Sequence, residues 1–302
     1  MKKIILSISF ILFCFLTVGV RIFELLVMID KQSGFYLEKF NIISIIMVVI
    51  AFIGCFNFAF GSIITLKNES KERKAPKNSV LVGISSLLMA LGIFYDMGQI
   101  ALSTSEYNLG NYVALGLSFL SAITFVIYGV CYFVGKELPK IMSIIPVIWS
   151  VGQLIISYTR FNGIALASEN ITDIITLSFF MVFWLYHSKI ISEINAEKSL
   201  SRLFIFGSCT AMLGLISTLP RFFVDYGLRV DFISSMPMVS FSNLTGAIYV
   251  ICFMGAIYLQ TVEKSVCNTL ESDESDSVID PPQFTVEVID NFDVETETKE
   301  EN

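Results

Sequence analysis

The sequence predicts an all-α fold, a polytopic bundle of about eight transmembrane helices with both ends in the cytoplasm and a disordered acidic C-terminal tail. Of the 302 residues, 54% are hydrophobic and 16% are charged, whereas a soluble domain has roughly 45–50% apolar and about 25% charged residues. Residues 40–66, 107–135 and 232–262 carry no charge at all. About 20 apolar residues suffice to cross the ~30 Å hydrocarbon layer of a membrane. The apolar excess therefore indicates burial in lipid.

The first half of the chain contains four predicted helices, each next to charged residues. They are residues 4–28 after Lys2 and Lys3, 40–66 between Lys39 and Lys67, 78–102 after Lys77, and 110–134 between Glu106 and Lys136. Each exceeds the length of about 20 residues that a crossing requires.

The second half contains four more predicted helices. They are residues 141–160 after Lys140, 171–191 ahead of Glu193, 203–220 between Arg202 and Arg221, and 234–261 between Asp231 and Glu263. Residues 1–262 are therefore predicted to form a transmembrane helical domain, and residues 263–302 its tail.

The orientation follows from lysine and arginine, which are enriched in cytoplasmic loops. The connection KNESKERKAPK at 67–77 is strongly basic, and the N-terminus and the 136–140 and 189–202 loops are basic as well. The opposite loops at 103–109 and 161–170 contain no lysine or arginine. Eight crossings place all the basic connections on one side, which predicts cytoplasmic N- and C-termini.

An alternative concerns the first helix, because MKKIILSISFILFCFLTVGV has the charged and apolar regions of a secretory signal peptide. It lacks a clear small-x-small cleavage site, so we expect an uncleaved helix. Cleavage would leave seven crossings and an N-terminus outside the cytoplasm.

Four helices that run outward are predicted to carry an ionisable residue at one depth. Arg21, Asp96, Arg160 and Arg221 each lie 17–20 residues beyond the inner end of their helix, or about 26–30 Å at 1.5 Å per residue. Glu24 and Gln99 each follow one of these residues by one turn and share its helix face. The six side chains predict an outward-facing polar pocket that binds an anionic group. The alternative is that each arginine extends to the lipid headgroups.

Two deeper polar side chains have a structural interpretation. Gln153, one turn after Trp149, is expected to form a hydrogen bond between helices. The single histidine, His187, is expected to lie at the membrane interface near the inner end of its helix.

The sequence contains no recognised catalytic pattern. HExxH, GxSxG and GxxxxGK[ST] are absent, and the six cysteines have no CxxC spacing. We therefore expect no catalytic residue, no metal site and no cofactor.

The tail, residues 263–302, carries 13 acidic and 2 basic side chains and the pair Pro281-Pro282, a composition typical of disorder. The stretch 284–294 alternates apolar and polar residues, which would let it add a strand to a protein partner in the cytoplasm. The alternative is a solvated tail in which the alternation arises by chance. Nothing indicates binding to nucleic acid.

Three functional classes remain open. The favoured one is a ligand-sensing or regulatory membrane protein, because an outer polar site and a cytoplasmic tail are both present. The first alternative is a small-molecule transporter or a transporter subunit. The second is a membrane-embedded enzyme acting on lipid-linked substrates. The expected location is the plasma membrane of a bacterium, since the sequence is rich in lysine, isoleucine, phenylalanine and asparagine.

Overall fold

The computed structural model describes residues 2–28, 41–67, 76, 78–103, 109–160, 167–227 and 240–275. These residues contain eight α-helices and no strand, which confirms the all-α prediction. The helices are α1 (Lys2–Val27), α2 (Asn41–Lys67), α3 (Val80–Ser103), α4 (Leu109–Val134), α5 (Ile145–Arg160), α6 (Ala167–Ile191), α7 (Ala196–Phe222) and α8 (Phe241–Ser275). A 3₁₀ turn, Ile141–Ile144, leads into α5, and a π-helical turn, Phe223–Gly227, follows α7.

Seven of the eight helices contain a described segment long and apolar enough to cross a membrane. The remaining helix, α2, is 27 residues long, and its described apolar segment is Val49–Gly61. Large apolar side chains such as Phe15 and Phe52 point away from the bundle and are 75% and 68% exposed. A continuous apolar exterior of this kind requires lipid as its solvent. The chain is a multi-pass membrane protein.

The α3–α4 pair and the α1–α2 pair each pack antiparallel. The Ser86 hydroxyl of α3 donates a hydrogen bond to the Phe125 carbonyl of α4 at 2.7 Å, and farther along the same pair Phe94 meets Phe119. In α1 and α2, Phe10 packs against Phe58 with ring centroids 4.4 Å apart. We call the end of the bundle at which α1, α3, α5 and α7 finish the outer end, following the orientation predicted from the basic loops.

The eighth helix lies at the centre of the bundle. Its side chains Tyr249, Val250 and Phe253 are fully buried, and its residues contact α3, α4, α6 and α7. Close approach is possible because small residues lie at these contacts. A methyl group at Gly246 would come within 2.7 Å of the Phe180 ring. The small-residue packing that drives helix association in lipid is therefore present here.

Several helix ends differ from the prediction. The seventh helix begins at Ala196 rather than 203 and continues through Pro220 to Phe222. Of the basic residues that were interpreted as a loop, Lys198 and Arg202 belong to the first turns of α7 and Lys189 to the last turn of α6. The actual connection is the short turn 192–195, in which Glu193 and Asn195 have positive φ. Pro146 lies in the first turn of α5, where a missing N–H breaks no helical hydrogen bond.

The eighth helix begins at Phe241, directly after Ser240, and continues to Ser275. Residues 234–239, which the sequence predicted to be part of this helix, lie outside the described residues. Residues 276–302, including the alternating stretch 284–294, also lie outside the described residues.

Candidate functional site

The outer end of α1 carries a buried ion pair. The Arg21 guanidinium donates a hydrogen bond to the Glu24 carboxylate, with 2.6 Å between Nη1 and Oε2. The two side chains are 4% and 0% exposed. Their spacing of three residues places them on one helix face, as the sequence indicated. A buried charge is tolerated only when it is paired and hydrogen-bonded, and each member of this pair supplies the other's partner.

The outer end of α7 carries a second ion pair. Arg221 Nη1 lies 3.4 Å from Asp173 Oδ2 in the second turn of α6. The arginine side chain is 4% exposed and the aspartate 23%. Sequence reasoning missed Asp173, although an acidic residue inside an otherwise apolar span is itself a signal of a functional or paired group.

The two arginines are buried in the protein. Arg21 and Arg221 lie within the bundle rather than on its exterior.

The two ion pairs flank one apolar contact. Leu25, which follows Glu24, is buried against Val224, which lies three residues after Arg221. The outer ends of α1 and α7 therefore touch, and Asp173 adds α6 to the same region. The structure places four charged side chains, two of each sign, at one end of three adjoining helices.

The Asp96 carboxylate of α3 accepts hydrogen bonds from the start of α8. Its Oδ1 atom accepts the N–H of Phe241 at 2.9 Å, and its Oδ2 atom accepts the N–H of Ser242 at 2.9 Å and the hydroxyl of Ser240 at 3.0 Å. The first N–H groups of a helix lack intrahelical partners and carry partial positive charge, so a carboxylate there stabilises the helix. Phe241 also packs edge-on against Phe222, beside Arg221, with centroids 5.5 Å apart. Phe241 therefore links Asp96, to which its N–H is bonded, with Phe222 of α7.

The remaining two predicted residues have different surroundings. Gln99 donates a hydrogen bond from Nε2 to the Tyr95 hydroxyl at 2.9 Å, one turn earlier on α3. Arg160 is the last residue of α5, and its side chain lies outside the description. The structure therefore pairs Arg21 with Glu24, as the sequence suggested, and Arg221 with Asp173, which the sequence did not suggest. Asp96 has its partners on α8, and Gln99 has its partner on α3.

A second group of polar side chains lies inside the bundle between α4, α6 and α8. His187, near the inner end of α6, is 0% exposed. Its Nε2 atom forms a 2.8 Å hydrogen bond with the Tyr249 hydroxyl, and its ring contacts Trp184 and Phe253 at centroid distances of 5.3 and 4.5 Å. The sequence position near a helix end did not reveal this burial, because α8 covers the site from a distant part of the chain.

Five buried side-chain atoms on α4 and α6 have no hydrogen-bond partner among the described residues: Ser121 Oγ, Tyr128 OH, Tyr132 OH, Trp184 Nε1 and His187 Nδ1. We call these five residues the buried polar stripe. Leaving one such group unsatisfied costs about 1–3 kcal/mol.

Immediately outward of the stripe, polar groups satisfy one another. Ser118 Oγ accepts hydrogen bonds from Trp149 Nε1 at 3.1 Å and from Gln153 Nε2 at 3.0 Å. This link between α4 and α5 confirms the predicted interhelical role of Gln153. Unlike the atoms of the stripe, the two donors Trp149 Nε1 and Gln153 Nε2 have an acceptor within the protein.

The described part of the chain contains no group of three or more histidine, cysteine, aspartate or glutamate side chains arranged to hold a metal ion. The cysteines whose side chains the structure describes are free thiols: Cys14, Cys55, Cys131, Cys209 and Cys252. Comparison with protein-family models, with curated proteins and with solved structures found no match to this chain.

Proposed function

We propose that this protein is a ligand-sensing or regulatory membrane protein, and that its ligand carries an anionic group bound at the outer ends of α1, α6 and α7. The observation that supports the proposal is the presence of two buried arginine–carboxylate pairs, Arg21–Glu24 and Arg221–Asp173, at one end of the bundle. Ionisable residues within membrane helices are expensive to bury, and they commonly mark ligand or ion sites.

The chemistry of the pairs suits exchange of partners. A guanidinium group presents a planar set of donors that matches a carboxylate or a phosphate. An incoming anion would replace Glu24 or Asp173 as the acceptor and leave that carboxylate to bind a donor on the ligand. Because Leu25 and Val224 join the two pairs, exchange at either arginine would alter the contact between α1 and α7. A ligand that favours one arrangement of this contact shifts its population.

The other parts of the proposal concern location and output. We place the protein in the plasma membrane of a bacterium, with the basic 67–77 loop and residues 263–302 in the cytoplasm. The acidic segment after α8 is the proposed contact for a cytoplasmic protein partner.

A thermal-shift screen in detergent tests the outer site. The panel contains small carboxylates, small phosphates and uncharged analogues of similar size. A carboxylate or phosphate that binds should raise the unfolding temperature of the wild type, while its uncharged analogue should not. If uncharged compounds stabilise as well as their anionic counterparts, the proposed ligand class is wrong.

Variants locate the binding. Arg21→Met combined with Glu24→Leu, and Arg221→Met combined with Asp173→Leu, each remove an entire ion pair, a change that is often neutral or stabilising. Both should fold yet lose the ligand-induced shift. Arg202→Ala, an exposed arginine on α7 away from the site, is the matched control. An unchanged shift in both double variants would contradict the site.

A transporter is the second candidate, and the buried polar stripe is the observation that favours it. A transport path needs polar groups inside the bundle, and five partnerless polar atoms lie there. Uptake of a labelled anionic solute by vesicles that contain this protein alone would establish transport in place of sensing.

A further inference from the structure

We propose that the interface of α4, α6 and α8 encloses a binding site for ordered water molecules, held by the buried polar stripe. This inference does not depend on the proposed ligand at the outer end. It rests on partnerless polar atoms in the opposite half of the bundle.

The stripe follows one face of α4. Ser121, Tyr128 and Tyr132 are separated by seven and four residues, so they share that face and span about 17 Å along its axis. The Tyr128 ring centroid lies 6.0 Å from that of His187, which lies 5.3 Å from that of Trp184. Tyr128, His187 and Trp184 therefore form one cluster between α4 and α6, with Ser121 and Tyr132 on the same face of α4 to either side.

The chemistry of the stripe selects its occupant. The indole N–H of Trp184 can only donate, whereas the hydroxyls of Ser121, Tyr128 and Tyr132 both donate and accept. The bound species must therefore accept hydrogen bonds, and one that also donates can satisfy the hydroxyl lone pairs as well. None of the five residues is a carboxylate, a lysine or an arginine, so the site offers no full opposite charge to an ion. Water meets each requirement and is small enough for a core in which these side chains are 0–1% exposed.

The site has a defined outer limit. The next polar group outward on α4 is Ser118, which already accepts hydrogen bonds from Trp149 and Gln153. At the other end, Tyr132 lies two residues before the end of α4. The proposed water therefore occupies the half of the bundle nearer the predicted cytoplasmic face, in contact with the single histidine of the chain.

Water contact can be measured directly, because the chain contains two tryptophans and one histidine. Protein labelled with ¹⁵N at tryptophan and histidine is placed in lipid bilayers, and magnetisation is transferred from water to each side-chain nitrogen by solid-state NMR. Trp184 Nε1 and His187 Nδ1 should gain signal several-fold faster than Trp149 Nε1, whose N–H is bonded to Ser118. Trp149→Phe assigns the two indole signals. Equal transfer rates at Trp184 and Trp149 would overturn the proposal.

The sign of a stability change gives a second test. If water satisfies the hydroxyl, Tyr128→Phe removes a formed hydrogen bond and should lower the unfolding temperature by about 2–4 °C. If the core is dry, the change removes an unsatisfied group, and the unfolding temperature should stay the same or rise. Tyr158→Phe, at a position 71% exposed, is the matched control. An unchanged or raised unfolding temperature in Tyr128→Phe would refute the water site.

Discussion

Asp96 accepts hydrogen bonds from two backbone N–H groups and one hydroxyl at the start of α8. The sequence identified this residue by its depth and suggested a counter-charge in an outer pocket. Its surroundings give it a structural task, since it fixes the end of α3 against the beginning of the central helix. A capping carboxylate is normally supplied from within or just before its own helix. Here it comes from a helix 145 residues earlier in the chain.

We expect Asp96→Ala to lower the free energy of unfolding by about 1–3 kcal/mol, because three donors at the helix start lose their acceptor. Asp96→Asn keeps one acceptor oxygen and should cost less. Denaturant unfolding in mixed micelles measures both. Gln99→Ala, one turn further along α3, is the control and should change stability by less than about 0.5 kcal/mol. An Asp96→Ala variant as stable as this control would show that the cap contributes nothing.

At the scale of helices, small residues set how closely α8 approaches its neighbours. Gly246 faces the Phe180 ring, whereas Gly255, nine residues further along the same helix, has open space where a side chain would begin. The two positions therefore separate the packing contribution of a glycine from its backbone contribution.

Gly246→Ala should destabilise the bundle by about 1–3 kcal/mol, since the added methyl group requires the buried Phe180 ring to move. Gly255→Ala should be neutral or stabilising by up to about 1 kcal/mol, because alanine is the better helix former. The same micelle titration compares the two variants. Equal effects would mean that α6 and α8 do not pack as closely as the structure shows.

The sequence predicted the number and approximate position of the helices, because charge-free stretches report burial in lipid directly. It placed the start of α7 seven residues too late, since Lys198 and Arg202 were interpreted as loop residues although a helix continues into the aqueous phase at no cost. It found the Arg21–Glu24 pair, which is local, and missed Asp173 and the burial of His187. Those two depend on which distant helices meet, and a single sequence does not contain that information.

At the scale of the whole molecule, the first helix determines whether the proposed outer site is complete. α1 supplies Arg21 and Glu24, and it packs against α2 and against the end of α7. Cleavage after the signal-peptide-like stretch that ends at residue 20 would detach Arg21 and Glu24 from the membrane helix that positions them. The uncleaved topology is therefore a condition of the proposed function.

Cysteine labelling of intact cells tests that topology. With a membrane-impermeant maleimide, Ser105→Cys should react from outside, whereas Ser70→Cys in the basic loop should react only after the membrane is opened. The parent chain with its native cysteines provides the background. Labelling of Ser70→Cys in intact cells would reverse the orientation and place the two ion pairs at the cytoplasmic face.

The bond between Asp96 and α8 has a consequence for biosynthesis. A ribosome adds about 5–20 residues per second, so α3 emerges about 7–30 s before the donors that hold its carboxylate have been made. During that interval the insertion machinery or water at the membrane surface must solvate Asp96, and a chain that stops short of residue 240 never acquires its proper partner. We expect such truncated chains to be recognised and degraded. Stable insertion of α3 would then depend on synthesis of α8, the last membrane helix.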